Sequence, residues 1–343
     1  SAWCDYIKQH GVNLDRRSWS AFQLHLQEPG APPQFQGSTS TPYGLFKVPE
    51  GNLLGLDPGP YRLLPGTAAQ SASDYAPFTL ADTFNPQPYN YSQTPSKRTS
   101  AWLQGSFPLT ERATLFVEGL GSFRNSSQKL APSPYFSDFD GAPLLADGSM
   151  GIPANNYYNP FGVDLPVVRR RFVEIDDRGF EEDVGLWRAI GGLRGSLHGW
   201  HWEAYAGYSQ SKSTTRENGL VSLARLLPAI GPSGVDAAGK IVCGVPGSDG
   251  IVPASNILPG CVPVDLFHGP GTITPEQVAY LEEPLRDHGS NSQTLLNLNA
   301  EGHWGTISGR PIAWSTGLSY TNGPLALGAT YERHIDYNAA AQA

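Results

Sequence analysis

The sequence predicts an all-β fold built from antiparallel hairpins, and three observations support this prediction. Several runs of residues alternate between apolar and polar side chains with the period of two that is typical of a strand rather than a helix. Neighbouring runs are joined in pairs by tight turns. Between the pairs the chain makes long excursions rich in turn-forming residues, and it contains 39 glycines and 30 prolines.

The first hairpin lies within residues 97–124 and turns at residues 108–111. Alternation places Leu103, Leu115 and Val117 on an oily face and Gln104 and Glu118 on a mostly polar face. Each strand is about as long as a tilted strand that crosses a bilayer, about 9–11 residues. A sheet in water could show the same alternation with its oily face turned toward a core, so both alternatives stay open here.

Two further hairpins repeat this pattern. Residues 186–197 and 200–209 flank a tight turn at residues 198–199, and residues 293–303 and 311–320 form the third hairpin. Tryptophans crowd the turn of the second hairpin, as they do at a membrane interface, although a soluble core could also use them.

The same alternation distributes the side chains of these hairpins between two faces. Leu193 and Leu298 fall on the oily face, whereas Arg194 and Glu203 fall on the polar face. In a barrel that spans a membrane, the first set would face lipid and the second set would face the lumen or a plug inside it.

The first excursion occupies residues 1–88 and carries little periodicity. We expect it to be an extracellular loop region with a possible small hairpin, with strands near residues 18–26 and 43–48. The segment rich in proline and aromatic residues at 125–167 is expected to be a second loop.

The third excursion, residues 211–288, is predicted to contain two short helices. One lies near residues 220–227. The other has Thr274 as its N-cap, Pro275 as its first residue and Gln277 as its capping-box partner, and Pro284 ends it.

Every tight turn therefore falls at one end of the strands and every long excursion at the other. This asymmetry is typical of an antiparallel transmembrane β-barrel with short periplasmic turns and long extracellular loops. We predict that residues 89–321 form about six strands of such a barrel. Residues 322–343 are expected to continue as a further strand or loop that is truncated.

Composition narrows the classes of function. Charged residues make up 16% of the 343 residues and the net charge is −8, so the chain lacks the basic footprint of a nucleic-acid-binding protein. No run approaches the roughly 18 apolar residues of a membrane helix. The chain begins without the pattern of a signal peptide and ends without a stop device, so we expect a fragment of a longer protein.

The three cysteines suggest one disulfide. Cys243 and Cys261 lie in the longest excursion, on the side of the long loops, whereas Cys4 has no obvious partner. We predict that Cys243 and Cys261 are bonded, because an extracellular loop lies in an oxidising environment. The alternative is three unpaired thiols.

Five stretches of the sequence resemble the TonB-dependent outer-membrane receptors of Gram-negative bacteria. They are residues 89–132 around KRTSAWLQGSFPLTERATLFVEGLGSFR, YYNPFG at 157–162, RRRFVEIDDRG at 169–179, CVPVDLFHGPGTITPEQVAYL at 261–281, and NLNAEG with GRPIAWSTGLSY near the end. Their order and spacing across residues 89–321 carry the resemblance.

The resemblance implies a barrel of about twenty-two strands in the outer membrane, filled by an N-terminal plug. It implies uptake of a scarce, bulky extracellular ligand such as a siderophore, cobalamin, saccharide or peptide. The TonB–ExbB–ExbD complex would energise this uptake through the plug. The sequence departs from the full pattern, because it contains no plug, no TonB-contacting box and no closing C-terminal strand.

Few side chains suggest chemistry. The eight histidines have no close ligand pair, no nucleotide-binding loop is present, and Glu118 and Glu203 are predicted to line a wet interior rather than to act as an acid–base pair. We therefore expect no enzymatic activity, no metal and no cofactor. The residues predicted to lie on a possible ligand-facing loop are Tyr157, Tyr158, Arg169, Arg170 and Arg171, although for the arginines a solvated or internally paired loop edge is favoured over a binding role.

Two classes of function follow from the sequence. The first is a segment of an outer-membrane receptor and transporter, in contact with lipid. The second is a secreted or surface β-rich binding protein, such as a glycan-binding module. Extraction from membranes would separate the two.

Overall fold

The computed structural model describes residues 1–25, 30, 32–307, 310–322 and 325–326. Its strands are β1 (Ala2–Gln9), β2 (Val12–Asn13), β3 (Leu24–His25), β4 (Gln34–Phe35), β5 (Leu45–Val48), β6 (Gly59–Leu63), β7 (Tyr75–Pro77), β8 (Tyr91–Gln93), β9 (Ser96–Thr110), β10 (Ala113–Lys129), β11 (Pro134–Phe136), β12 (Val167–Arg171), β13 (Gly179–Leu197), β14 (Trp200–Asn218), β15 (Ser233–Val235), β16 (Ile241–Cys243), β17 (Leu285–Ile307), β18 (Arg310–Asn322) and β19 (Leu325–Ala326). Its α-helices are α1 (Leu223–Ala229) and α2 (Pro275–Leu281).

The fold is all-β and is dominated by one large antiparallel sheet. The strand order in this sheet is β1-β9-β10-β13-β14-β17-β18, with the short strand β19 also paired to β17. Six of these strands are the predicted hairpin strands, but they are longer than predicted. Strands β13 and β14 each have 19 residues and β17 has 23, because polar stretches without alternation continue the backbone ladder.

The short turns lie at one end of the sheet, as predicted. Strands β13 and β14 are joined by His198 and Gly199, whose φ angles are 50° and 83°. Two successive positive φ angles characterise a type I′ turn, which suits the twist of a hairpin. The turn between β17 and β18 falls at residues 308–309, outside the described residues. Three long excursions leave from the opposite end.

Strand β1 corrects the expected boundary of the first loop region. Residues 1–88 were expected to be loop, but Ala2 to Gln9 pair with β9 over their full length. Residues 18–26 contribute only β3 among their described residues, whereas the strand expected at 43–48 corresponds to β5. Strand β1 is therefore a strand of the large sheet that alternation does not indicate.

The three excursions pack together into one body, which we call the cap (residues 37–84, 130–178 and 219–284). Its centre is a five-stranded sheet of order β11-β12-β5-β6-β7, which joins segments of the first two excursions. The third excursion adds α1, α2 and the β15–β16 hairpin. The loops are therefore a structured layer above the large sheet.

An aromatic cluster lies at the centre of the cap. Phe46 is fully buried and its ring contacts the rings of Tyr75, Phe161 and Phe267 at centroid distances of 6.1, 5.7 and 5.4 Å. Apolar side chains from all three excursions complete this core. The cap is thus stabilised by burial of apolar surface, like an ordinary water-soluble domain.

Helix α2 begins as the sequence predicts. The Thr274 side chain accepts a hydrogen bond from the Gln277 backbone, the Gln277 side chain accepts one from the Thr274 backbone, and Pro275 is the first helical residue. Helix α1 begins three residues later than predicted. Among the described residues, neither helix is long or apolar enough to cross a membrane.

Candidate functional site

The two faces of the large sheet differ in chemistry. We call the face that carries Leu103 and Leu115 the outer face, and the opposite one the inner face. One row of directly paired residues crosses six strands of the outer face: Phe107, Leu115, Leu193, Ala204, Leu298 and Leu318. Leu298 is 51% exposed and Leu318 is 71% exposed. The residues predicted to share the oily face therefore do so, and their exposure ranges from partial at Leu115 to more than half at Leu103 and Leu298.

Two groups of aromatic side chains border this apolar band on the outer face. At the turn end, the rings of Trp200 and Trp314 meet edge to face at 4.8 Å. Gly302 lies between them, and a Cβ there would come within 3.1 Å of both rings. At the other end, the rings of Trp187 and Tyr208 lie 5.3 Å apart. These four rings mark the two ends of the band.

The width of the band follows from strand geometry. From Trp200 to Tyr208, β14 advances eight residues, or about 27 Å at roughly 3.4 Å per residue. A strand tilted by about 40° would cover about 21 Å along the axis of a barrel. Transmembrane barrels carry an apolar band about 25 Å tall between girdles of aromatic residues.

The inner face is more polar and also holds the buried side chains of the large sheet. Gln104 lies directly opposite Glu118 and donates a hydrogen bond of 3.4 Å to its carboxylate. Arg194 lies directly opposite Glu203 and stacks on the buried Phe116 ring, with its guanidinium carbon 5.6 Å from the ring centroid. Opposite charges in adjacent strands therefore line this face.

A cavity of about 840 Å³ opens on the inner face near the short turns. Its lining includes Arg194, His201, Glu203, Asn299 and Glu301. Glu118 lies two strands away from Glu203 and does not line this cavity, so these two carboxylates do not form a pair.

Arg170 and Arg171 do not face a ligand, which corrects the expectation for this loop. Arg170 is completely buried in the cap. It donates hydrogen bonds to the Glu174 carboxylate and the Gly269 carbonyl, both at 2.7 Å, and to the Arg171 carbonyl. Burial lowers the pKa of Arg170, and the negative charge of Glu174 opposes that effect. The guanidinium joins the second and third excursions.

Arg171 joins the first two excursions in the same way. It donates hydrogen bonds to the carbonyls of Ser40 at 3.0 Å and Pro132 at 2.7 Å, and its guanidinium carbon lies 4.3 Å from the centroid of the Phe84 ring. Burial lowers its pKa to about 10. Arg169 is partly exposed, but its guanidinium makes two hydrogen bonds to Asp138.

The two tyrosines lie at the surface of the cap beside a histidine. Tyr157 is 50% exposed, and its ring meets that of the half-buried Tyr158 at 5.3 Å and almost at a right angle. The Tyr158 ring lies 6.4 Å from the ring of His268. His268 Nδ1 is 2.8 Å from the Asp265 carboxylate, and this hydrogen bond raises the pKa of His268. These side chains form an aromatic surface that could contact a ligand.

Cys243 and Cys261 form a disulfide in the cap, with an S–S distance of 2.03 Å and a Cα–Cα distance of 5.9 Å. The bond ties the end of β16 to the segment that leads into α2. Cys4 is an exposed free cysteine on β1. Among the described residues, no group of three His, Cys, Asp or Glu side chains could hold a metal ion.

Sequence reasoning missed the pair formed by Asp265 and His268. The two residues are three positions apart and no motif marks them, so their pairing becomes visible only where the loop folds back on Tyr158. Comparison of the chain with protein-family models, curated proteins and solved structures gives no match.

Proposed function

We propose that this chain is a segment of an outer-membrane receptor and transporter of the TonB-dependent kind, which takes up a scarce, bulky ligand from outside a Gram-negative cell. One observation carries the proposal. The outer face of the large sheet exposes an apolar band that is bordered at both ends by aromatic rings, and its height of about 21 Å approaches the roughly 25 Å of the apolar band of transmembrane barrels.

The energetics of this band favour lipid as its surroundings. Apolar surface in water costs about 25 cal/mol for each Å² that could be buried, and monomeric soluble proteins seldom expose apolar patches beyond a few hundred Å². The band crosses six strands, and between the levels of Trp200 and Tyr208 on β14 its outer-face side chains include no charged residue. Acyl chains would cover it along its whole width.

The inner face and the cap fit the remaining parts of such a receptor. The ion pairs and the cavity of the inner face suit a wet lumen or contact with a plug. The cap rises at the end opposite the short turns, which in outer-membrane barrels is the extracellular end. Its disulfide suits an oxidising environment, and its exposed Tyr157 is available to a ligand.

Energised transport rests on the family resemblance rather than on contacts of the described residues. In this proposal the TonB–ExbB–ExbD complex would act through a plug, and the inner face of this sheet would be part of the wall around that plug.

Membrane extraction tests the proposal. We expect the chain, produced in a Gram-negative cell as a fusion to an export signal, to stay with the outer-membrane fraction in 1 M salt and to dissolve only in detergent; the salt concentration is about seven times a physiological one. A secreted or surface β-rich binding protein, the alternative class, would wash off in salt. Release by salt alone would contradict the proposal.

A further inference from the structure

The outer face carries a pair of like charges just beyond the apolar band. Lys8 of β1 lies directly opposite Lys97 of β9, and both side chains are exposed. Alternation along both strands places them on the outer face, because Ala2 lies opposite Leu103 in the same ladder. Their Cβ atoms are expected to lie about 4.5–5.5 Å apart, where like charges destabilise a sheet.

The opposite side of the same two strands is balanced. On the inner face, Arg98 of β9 lies 3.5 Å from the carboxylate of Asp5 of β1. Neither Lys8 nor Lys97 has such a carboxylate among the described residues. The nearest one in their row is Asp183, two strands beyond Lys97, and its oxygens already accept hydrogen bonds from Asn125 and Arg216. The unbalanced charge is therefore confined to the outer face.

The two lysines lie at a defined level of the sheet. Lys8 is two residues beyond Tyr6, and Tyr6 shares a row with Phe123 at the border of the apolar band. Lys212 lies in that same row, opposite Gly185, and is also exposed. Aromatic rings at the ends of membrane strands lie at the level of the lipid headgroups. The lysines would therefore meet the headgroups rather than the acyl chains.

We propose that Lys8 and Lys97 bind the phosphate of an anionic lipid headgroup in the outer leaflet, an inference that rests on the proposed membrane location. An anion between the two ammonium groups converts their repulsion into two charge-assisted hydrogen bonds. Lysines at a sheet edge also discourage edge-to-edge pairing. That role would explain Lys8, but it would not explain Lys97, which lies on an interior strand.

Native mass spectrometry of the full chain in detergent tests this binding. The probes are short-chain phosphatidic acid, phosphatidylcholine with the same acyl chains, and inorganic phosphate as a competitor. We expect a clear preference for phosphatidic acid over phosphatidylcholine. The double variant Lys8→Gln/Lys97→Gln should weaken phosphatidic acid binding about thirtyfold, or about fivefold for each lysine near a charged surface.

Two further variants serve as controls. Lys8→Arg/Lys97→Arg keeps the charges and should keep the binding. Lys47→Gln/Lys240→Gln removes the same number of charges from exposed positions on the cap and should leave the affinity unchanged. Equal losses in the cap and sheet variants, or unchanged binding by Lys8→Gln/Lys97→Gln, would overturn the inference.

Two other results separate this inference from its alternatives. Displacement of phosphatidic acid by an equal concentration of inorganic phosphate would indicate a site for free phosphate and would also overturn it. If Lys8→Gln/Lys97→Gln binds lipid normally while the chain resists extraction by salt, the membrane proposal stands and only the lipid site fails.

Discussion

The cap buries its large apolar side chains, whereas the large sheet exposes many of its own. The cap encloses a core of fully buried residues such as Phe46, Phe161 and Phe267. In the described part of the sheet, Phe116 and Ile190 are the most buried apolar side chains, at 7% and 8% exposure, while Leu103, Leu298 and Leu318 are more than half exposed. The cap therefore contains the apolar environment that stabilises it, whereas the sheet needs one from outside.

This difference separates two kinds of stability within one chain. Unfolding of the cap exposes a core to water, so its stability should respond to cavities and to its disulfide. The sheet is held by long backbone ladders, and in the proposed membrane location lipid would cover its outer face. Variants in the cap should therefore lower its stability against unfolding, whereas variants on the outer face of the sheet should impair its assembly into vesicles.

Truncation of the aromatic core should have the largest effect, and it should be confined to the cap. Phe46→Ala removes a fully buried ring that contacts three others, and such substitutions cost about 3–5 kcal/mol. We expect protease cleavage in the cap at lower denaturant concentrations while the sheet stays protected in detergent. Simultaneous loss of both regions would show that they unfold as one unit.

A charge on the outer face should impair the sheet and spare the cap. Leu115→Arg places a cation within the apolar band, where arginine near the bilayer midplane costs about 2–4 kcal/mol. Glu118→Arg, three residues along the same strand, is the matched control because it points to the inner face. Assembly into vesicles, followed by resistance to protease, measures the difference. Equal impairment by the two variants would contradict the assigned faces.

Removal of the disulfide should weaken the cap by an intermediate amount. The bond closes a loop with a sequence separation of 18 residues, for which the chain-entropy estimate is about 3 kcal/mol. Cys243→Ala/Cys261→Ala should lower the midpoint of cap unfolding, and a reducing agent should do the same to the native chain. The assembly defect of the Leu115→Arg variant should be the same with and without the reducing agent. Mass mapping that finds both thiols free would remove the basis of this prediction.

The smallest expected effect is a pH dependence of the cap. The hydrogen bond to Asp265 raises the pKa of His268 above its ordinary value of 6.5. The protonated imidazole therefore stabilises the folded cap fully below about pH 6.5, and this contribution is lost as the pH rises through the raised pKa. His268→Gln should abolish that part of the pH profile of cap unfolding. A His268 titration by NMR that falls below the ordinary value would refute the assignment.

Local patterns predict the strands well where one face is oily. The alternation of Leu115, Val117 and Leu193 with polar neighbours indicates both the strands and their faces, and the register in the structure agrees. Alternation does not predict strand β1, because large apolar side chains lie on both of its faces. Trp3 and Ile7 lie on one face and Tyr6 lies on the other, so neither face is purely apolar. Alternation also does not predict the polar halves of β13 and β14 next to the cap, since their strand conformation depends on backbone pairing.

The interior of the cap could not be predicted from local patterns. Three successive arginines suggest an exposed basic edge, yet Arg170 and Arg171 are buried, because carbonyls from distant segments accept their hydrogen bonds and the nearby Glu174 carboxylate pairs with Arg170. Their partners include Ser40, Pro132 and Gly269, which lie 131, 39 and 99 residues away in sequence. Which segments meet is a property of the tertiary fold, and no spacing in the sequence encodes it.

The most direct test of the proposed lipid-facing surface is a spin-label scan of β10 in vesicles. Single cysteines at residues 114–123, in a background that carries Cys4→Ser, would each bear a nitroxide, and relaxation by oxygen and by a water-soluble nickel chelate would be compared. We expect oxygen accessibility to peak at residues 115, 117, 119 and 121 and nickel accessibility to peak at residues 114, 118 and 122. Uniform accessibility to nickel along the strand, or the reverse alternation, would contradict the account.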